Sequence, residues 1–68
     1  MKAQDRVLTL LDFANVNFTA LEIARITKVR GHRIYPMLRK LEADGKITRF
    51  VDDKGVARYY QYIQEYPR

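Results

Sequence analysis

Ile34, Met37, Leu38 and Leu41 recur at the three- and four-residue spacing of one helical face, and Asp44-Gly45 follows them. That spacing predicts a helix over residues 31–44 with one side buried. Glycine enters the left-handed conformation that closes a helix without steric cost, so Gly45 is the expected stop. On the helical wheel the opposite side carries His32, Arg39 and Lys40, with Arg33 on its flank. A helix held to a core by one face and basic on the other is suited to lie against an anionic surface. The DNA major groove is the foremost case.

The rest of the chain supplies the body to which such a helix would be fastened. Val7, Leu8, Leu10, Leu11 and Ala14 form a broad apolar stripe, which predicts a first helix over residues 3–14. Asn15-Val16-Asn17 breaks it, because asparagine favours turns and helix ends. Thr19-Ala20-Leu21-Glu22 is a capping-box pattern, and the helix it opens is expected to run to about Thr27. Leu21, Ile23 or Ala24, and Ile26 are the residues expected to be buried there. Lys28-Val29-Arg30-Gly31 is then a short link between two helices, the second basic on its outer face, which is the helix-turn-helix layout.

After Gly45 the period changes from helical to two. Residues 46–51 are β-branched and aromatic, residues 52–55 read Asp-Asp-Lys-Gly, and residues 56–63 are dense in tyrosine. Two strands joined by an Asp/Gly turn make a β-hairpin. Tyr60 and Tyr62 alternate onto one face, assigned to the core, which leaves Tyr59 outward for DNA or a partner subunit. A brief strand around residues 17–19 can pair with the hairpin. The expected fold is α+β, mainly α: a winged helix-turn-helix of three helices plus a two- or three-stranded antiparallel β-wing. Residues 1–68 form one domain in this reading.

Composition narrows the function classes. The chain has 68 residues and no cysteine, so disulfides, thiolate chemistry and zinc-finger ligation are excluded. Its apolar run over residues 7–14 is too short to cross a bilayer, and its start lacks the charge-then-apolar layout of a secretory signal. A cytoplasmic protein with no membrane partner is the expectation. The net charge of +5 is unevenly spread. Residues 1–24 balance to −1, residues 25–58 to +6 with ten basic side chains against four acidic, and the last ten residues to zero. Positive charge gathered in one half is what a polyanion-binding surface requires. No nucleophile–base pair, metal-ligand set or phosphate-binding glycine loop is visible, so no catalysis, cofactor or metal is expected.

Residues 34–47, Ile-Tyr-Pro-Met-Leu-Arg-Lys-Leu-Glu-Ala-Asp-Gly-Lys-Ile, followed by Gly55 and by Arg58-Tyr59-Tyr60, resemble the PadR family of bacterial transcriptional regulators. The Leu-x-x-Leu-Glu-x-x-Gly portion is shared by many winged-helix regulators, and the Tyr-Pro inside the helix narrows the resemblance. It spans roughly residues 19–63. The resemblance implies a DNA-binding domain whose third helix enters the major groove while the wing, about 52–57, reaches the flanking backbone. It departs from the family pattern in two places. The sequence stops at Arg68 without the family's C-terminal dimerisation helix, and Arg30-Gly31-His32-Arg33 stands where small or Pro-Gly residues are usual.

The expected DNA-binding residues are Lys28, Arg30, His32, Arg33, Tyr35, Arg39, Lys40, Arg49, Lys54 and Arg58. Arg30, His32 and Arg33 sit at the helix end that meets base edges, where arginine can bind guanine with two hydrogen bonds. Cations are mildly unfavourable at a helix N-terminus, so three basic groups there suggest an external anion. Arg39 and Lys40 are assigned to phosphates, against the alternative of an exposed face with Arg39 paired to Glu42 or Asp44. Tyr35 is open between capping the core and presenting its hydroxyl to a phosphate. Thr27 and Lys28 belong to the turn, within reach of the DNA backbone. At the wing, Lys54 and Arg58 are expected near phosphate or minor groove with Arg49 across the hairpin, while Asp52 and Asp53 face away or shape the turn. The leading expectation is a sequence-specific regulator of double-stranded DNA, acting as a homodimer or with a partner protein through the termini or hairpin. The alternatives are a winged-helix protein-interaction module using the Tyr-rich hairpin, and RNA or non-specific nucleic-acid binding.

Overall fold

The structure, a computed structural model, describes residues 2–14 and 16–61. The expectations for the Ala14 side chain and for residues 62–63 lie outside these. Three helices and three short strands follow in the order α1 (Ala3–Ala14), β1 (Phe18–Thr19), α2 (Ala20–Thr27), α3 (Gly31–Ala43), β2 (Ile47–Val51) and β3 (Ala57–Gln61). The fold is α+β and mainly helical. Its sheet is antiparallel in the order β1-β3-β2, so β3 is the central strand and the two-residue β1 covers one of its edges.

Local chemistry sets the element ends. Thr19 caps α2: its hydroxyl accepts from the Glu22 amide at 3.2 Å, while the Glu22 carboxylate accepts from the Thr19 amide at 2.9 Å. This reciprocal box satisfies two donors that the helix itself leaves orphaned. At the far end of α3, Gly45 has φ +76°. Its amide donates to the Glu42 carbonyl and the Lys46 amide donates to the Leu41 carbonyl, at 3.0 and 2.9 Å. That is the paired closure of a Schellman turn, and it turns the chain into β2. The helix runs through Pro36, whose missing amide leaves the His32 carbonyl without its usual donor on the exposed side.

One core holds the elements together. Val7 and Leu11 of α1, Ala20, Ile23 and Ala24 of α2, Val29 of the turn, Ile34, Leu38 and Leu41 of α3, Ile47 of β2 and Tyr59 of β3 form a single buried cluster. Fully burying an aliphatic side chain of this size contributes about 1.5–3 kcal/mol relative to leaving it exposed. Ile34, Leu38 and Leu41 therefore fix which side of α3 faces inward; Met37 sits half-buried at the margin.

Two sequence expectations are corrected. Leu21 and Ile26 are 59% and 54% exposed; α2 instead buries Ala20, Ile23, Ala24 and Thr27. These four follow the i, i+3, i+4, i+7 pattern of one helical face, and small residues at both ends let α2 approach its neighbours closely. The tyrosine faces are also reversed. Tyr59 is only 6% exposed and belongs to the core, whereas Tyr60 is half-buried and packs on Phe50 with ring centroids 5.9 Å apart. The register explains it: Ile47 pairs with Gln61 and Arg49 with Tyr59, so the odd-numbered residues of both strands share the core-facing side.

Candidate nucleic-acid interface

Between Ala24 and Leu41 the chain contains Arg25, Lys28, Arg30, Arg33, Arg39 and Lys40 and not one acidic residue. The turn and α3 display this run outward. Lys28, Arg30, His32, Arg33, Tyr35, Arg39 and Lys40 are all exposed. Among the described residues none of their side chains makes a hydrogen bond or ion pair, so the alternative of Arg39 paired to Glu42 or Asp44 is not realised. The helical wheel separates them into sectors. His32, Arg39 and Lys40 lie opposite the Ile34–Leu38–Leu41 seam, while Arg33 and Tyr35 flank them on either side. Tyr35 does not cap the core; more than half of its surface is open.

The start of α3 is electrostatically unfinished. Arg30 occupies the N-cap position in an extended conformation, its side chain makes no capping hydrogen bond, and the first turn holds no acidic residue. Its carbonyl receives the Arg33 and Ile34 amides at 2.9 and 3.0 Å, which leaves the Gly31 and His32 amides free. An uncapped N-terminus costs about 1 kcal/mol relative to Ser, Thr, Asp or Asn. Free amides, the positive end of the helix dipole and the flanking Lys28, Arg30 and Arg33 cations all favour an anion from outside the chain.

Backbone hydrogen bonds to the end of α2 hold the turn before α3. Lys28 has φ 60° and ψ 32°, the left-handed region, and the Lys28 and Val29 amides both donate to the Ala24 carbonyl. Thr27 is buried and its hydroxyl donates to the Ile23 carbonyl at 2.6 Å, so Thr27 is not free to reach a ligand. The Thr27 carbonyl accepts from Arg6 Nε at 3.0 Å, which ties α1 to the end of α2. Arg6 is thus an architectural cation, a role that charge counting alone does not reveal.

The hairpin does not hold its three basic residues together. Arg58 pairs with Phe50 in the register and Arg49 with Tyr59, so Arg49 and Arg58 emerge on opposite faces of the hairpin. Arg49 lies on the helix-facing side with Ile47 and is exposed. Lys54 is exposed at the tip. Arg58 is half-buried and engaged: its Nε donates to Asp52 Oδ2 at 2.9 Å and its Nη1 to Asn17 Oδ1 at 3.1 Å. Asp52 shapes the turn as expected, its Oδ1 accepting from the Lys54 and Val56 amides at 2.9 Å each. The Val56 amide foremost, with the Arg58 guanidinium next, holds the Asp52 carboxyl below its ordinary range.

Among the described residues no group of three or more His, Cys, Asp or Glu side chains is placed to hold a metal ion. No described helix is long and apolar enough to cross a membrane. Compared with known proteins, the chain matches no family model, no curated protein and no solved structure.

Proposed function

We propose that this chain is a winged helix-turn-helix domain that binds double-stranded DNA sequence-specifically, as a transcriptional regulator of the PadR-like kind that residues 34–47 resemble. The observation that carries the reading is the outer surface of α3 and the turn before it: seven exposed basic or polar side chains without partners in the described chain, beside an uncapped helix start. Supporting it, α2 and α3 are joined by three residues and followed by a hairpin. Thirteen helical residues span roughly 20 Å at about 1.5 Å each, a rod that a major groove about 12 Å wide admits.

In this reading α3 enters the groove with Arg30, His32 and Arg33 at the base edges. Lys28, Arg39 and Lys40 lie along the phosphates, and Arg49 and Lys54 approach the flanking backbone from the hairpin. Phosphate contacts would set orientation and most of the affinity; the helix start would read sequence. A protein-interaction role based on an outward Tyr59 loses its contact residue, because that side chain is in the core.

Titrating a mixed-sequence duplex into isotopically labelled protein tests the reading. Amide shifts are expected to cluster at residues 28–40, Arg49 and Lys54. Shifts confined to the Phe50–Tyr60 face, or displacement of the duplex by single-stranded RNA at lower concentration than by competitor DNA, would overturn it.

A further inference from the structure

Asp52 raises a problem for a hairpin that approaches DNA. A carboxylate next to the tip repels phosphate, yet it receives three hydrogen bonds, from the Lys54 amide, the Val56 amide and Arg58 Nε. Arg58 then reaches on to Asn17, the residue before β1, at 3.1 Å. The two ends of one planar guanidinium therefore join the hairpin tip to the strand that leads into α2. Arg58 also lies on the sheet face opposite Ile47 and Tyr59, the side turned away from the helices.

Resting on the DNA-binding reading above, we propose that Asn17, Arg58 and Asp52 form a positioning relay that sets the hairpin so that Lys54 reaches a phosphate, and that Arg58 itself touches no DNA. The acidic residue holds both the turn and the arginine. The relay fixes the pitch of the hairpin relative to β1 and hence to the α2–α3 pair. Lys54 is the group that benefits. Arg58 is a positioning residue rather than a contact.

Asp52→Asn is the discriminating variant. Asparagine retains an oxygen for the two turn amides but loses the charged partner of Arg58, and net charge rises from +5 to +6. Simple electrostatics predicts tighter DNA binding from that change; the relay predicts binding weaker by threefold or more. The relay also predicts that the slope of log affinity against log salt falls by about 0.9, the loss of one phosphate contact. Lys54→Ala should weaken the wild-type chain severalfold but add less than twofold in the Asp52→Asn background, because the contact is already lost. Asn17→Ala leaves charge unchanged and should weaken binding in the same way, whereas an Arg58 that contacted phosphate would be freed by it.

All variants are read by fluorescence anisotropy at a temperature where circular dichroism shows each one folded. A change in stability alone moves neither the salt slope nor the non-additivity. Asp52→Asn binding as tightly as wild type or tighter, or full additivity with Lys54→Ala, overturns the relay while leaving the DNA reading in place. A wild-type chain that binds no duplex overturns both.

Discussion

Replacing Lys28 by glycine should make the protein more stable and a poorer DNA binder. A left-handed backbone costs a residue with a Cβ about 1–2 kcal/mol, and Lys28 has φ 60°. Glycine removes that cost but gives back roughly 0.5–1 kcal/mol through a more flexible unfolded chain. The net gain is about 0–1.5 kcal/mol, with a midpoint near 0.75 kcal/mol that corresponds to roughly 3–6 °C in Tm for a domain this small. Lys28 lies after the last residue of α2, so no helix propensity is lost. On the DNA side, one phosphate contact contributes about 0.9 to the logarithmic salt slope. At 0.1 M salt that amounts to about an eightfold loss in affinity, vanishing near 1 M. Differential scanning calorimetry and anisotropy on the same preparation read both effects. Lys28→Ala is the control: it keeps the Cβ, and should lose affinity without gaining Tm. A lower Tm for Lys28→Gly would refute the strain argument. A higher Tm with unchanged affinity would remove Lys28 from the interface.

Three other outcomes follow from the packing and capping. Leu38→Ala empties a fully buried site and should cost about 2–5 kcal/mol in urea unfolding, a large share of what a domain of this size holds. Thr19→Ala removes the α2 cap and should cost about 1 kcal/mol in the same assay, with no change in the DNA salt slope. The Asp52 carboxyl is held below its ordinary value of about 3.8 in the folded chain. Its stabilisation is therefore fully present above that value and lost as pH falls through the lower folded one. Acid titration of Tm should show this decline below pH ~4, and Asp52→Asn should flatten that part of the curve.

Residues with strong, single-valued local preferences are legible in the sequence. The Ile34–Leu41 spacing, the Thr19–Glu22 box and Gly45 each dictate one backbone outcome, and all three occur as expected. The faces of α2 are harder to read because three of its four buried residues, Ala20, Ala24 and Thr27, carry little hydrophobic signal, while Leu21 and Ile26 carry more and stay outside. In β3 the adjacent Tyr59 and Tyr60 make either parity plausible from composition. The deciding signal lay across the hairpin. Ile47 must face the core, and counting back from the 52–56 turn pairs it with Gln61, which forces Tyr59 inward.

Arg58 is basic and near the tip, which from sequence alone places it among the candidate DNA contacts. Charge alone does not reveal that Asp52, six residues back, and Asn17, forty-one residues back, both receive its guanidinium. The basic residues of α3 differ: residues 25–40 contain no acidic residue, and although Glu42 and Asp44 lie three and four residues beyond Arg39 and Lys40, neither pairs with them. Their exposure follows directly from the seam that buries the other side of the helix.

The central claim is that the α3 surface and the hairpin tip meet the phosphates of a duplex. Its most direct measurement is the affinity for a mixed duplex from 50 to 200 mM salt. The five phosphate contacts of Lys28, Arg39, Lys40, Arg49 and Lys54 predict a slope of log affinity on log salt of about −4.5, an affinity loss on the order of 500-fold over that range. A slope near zero, or no binding at 50 mM, would contradict the account.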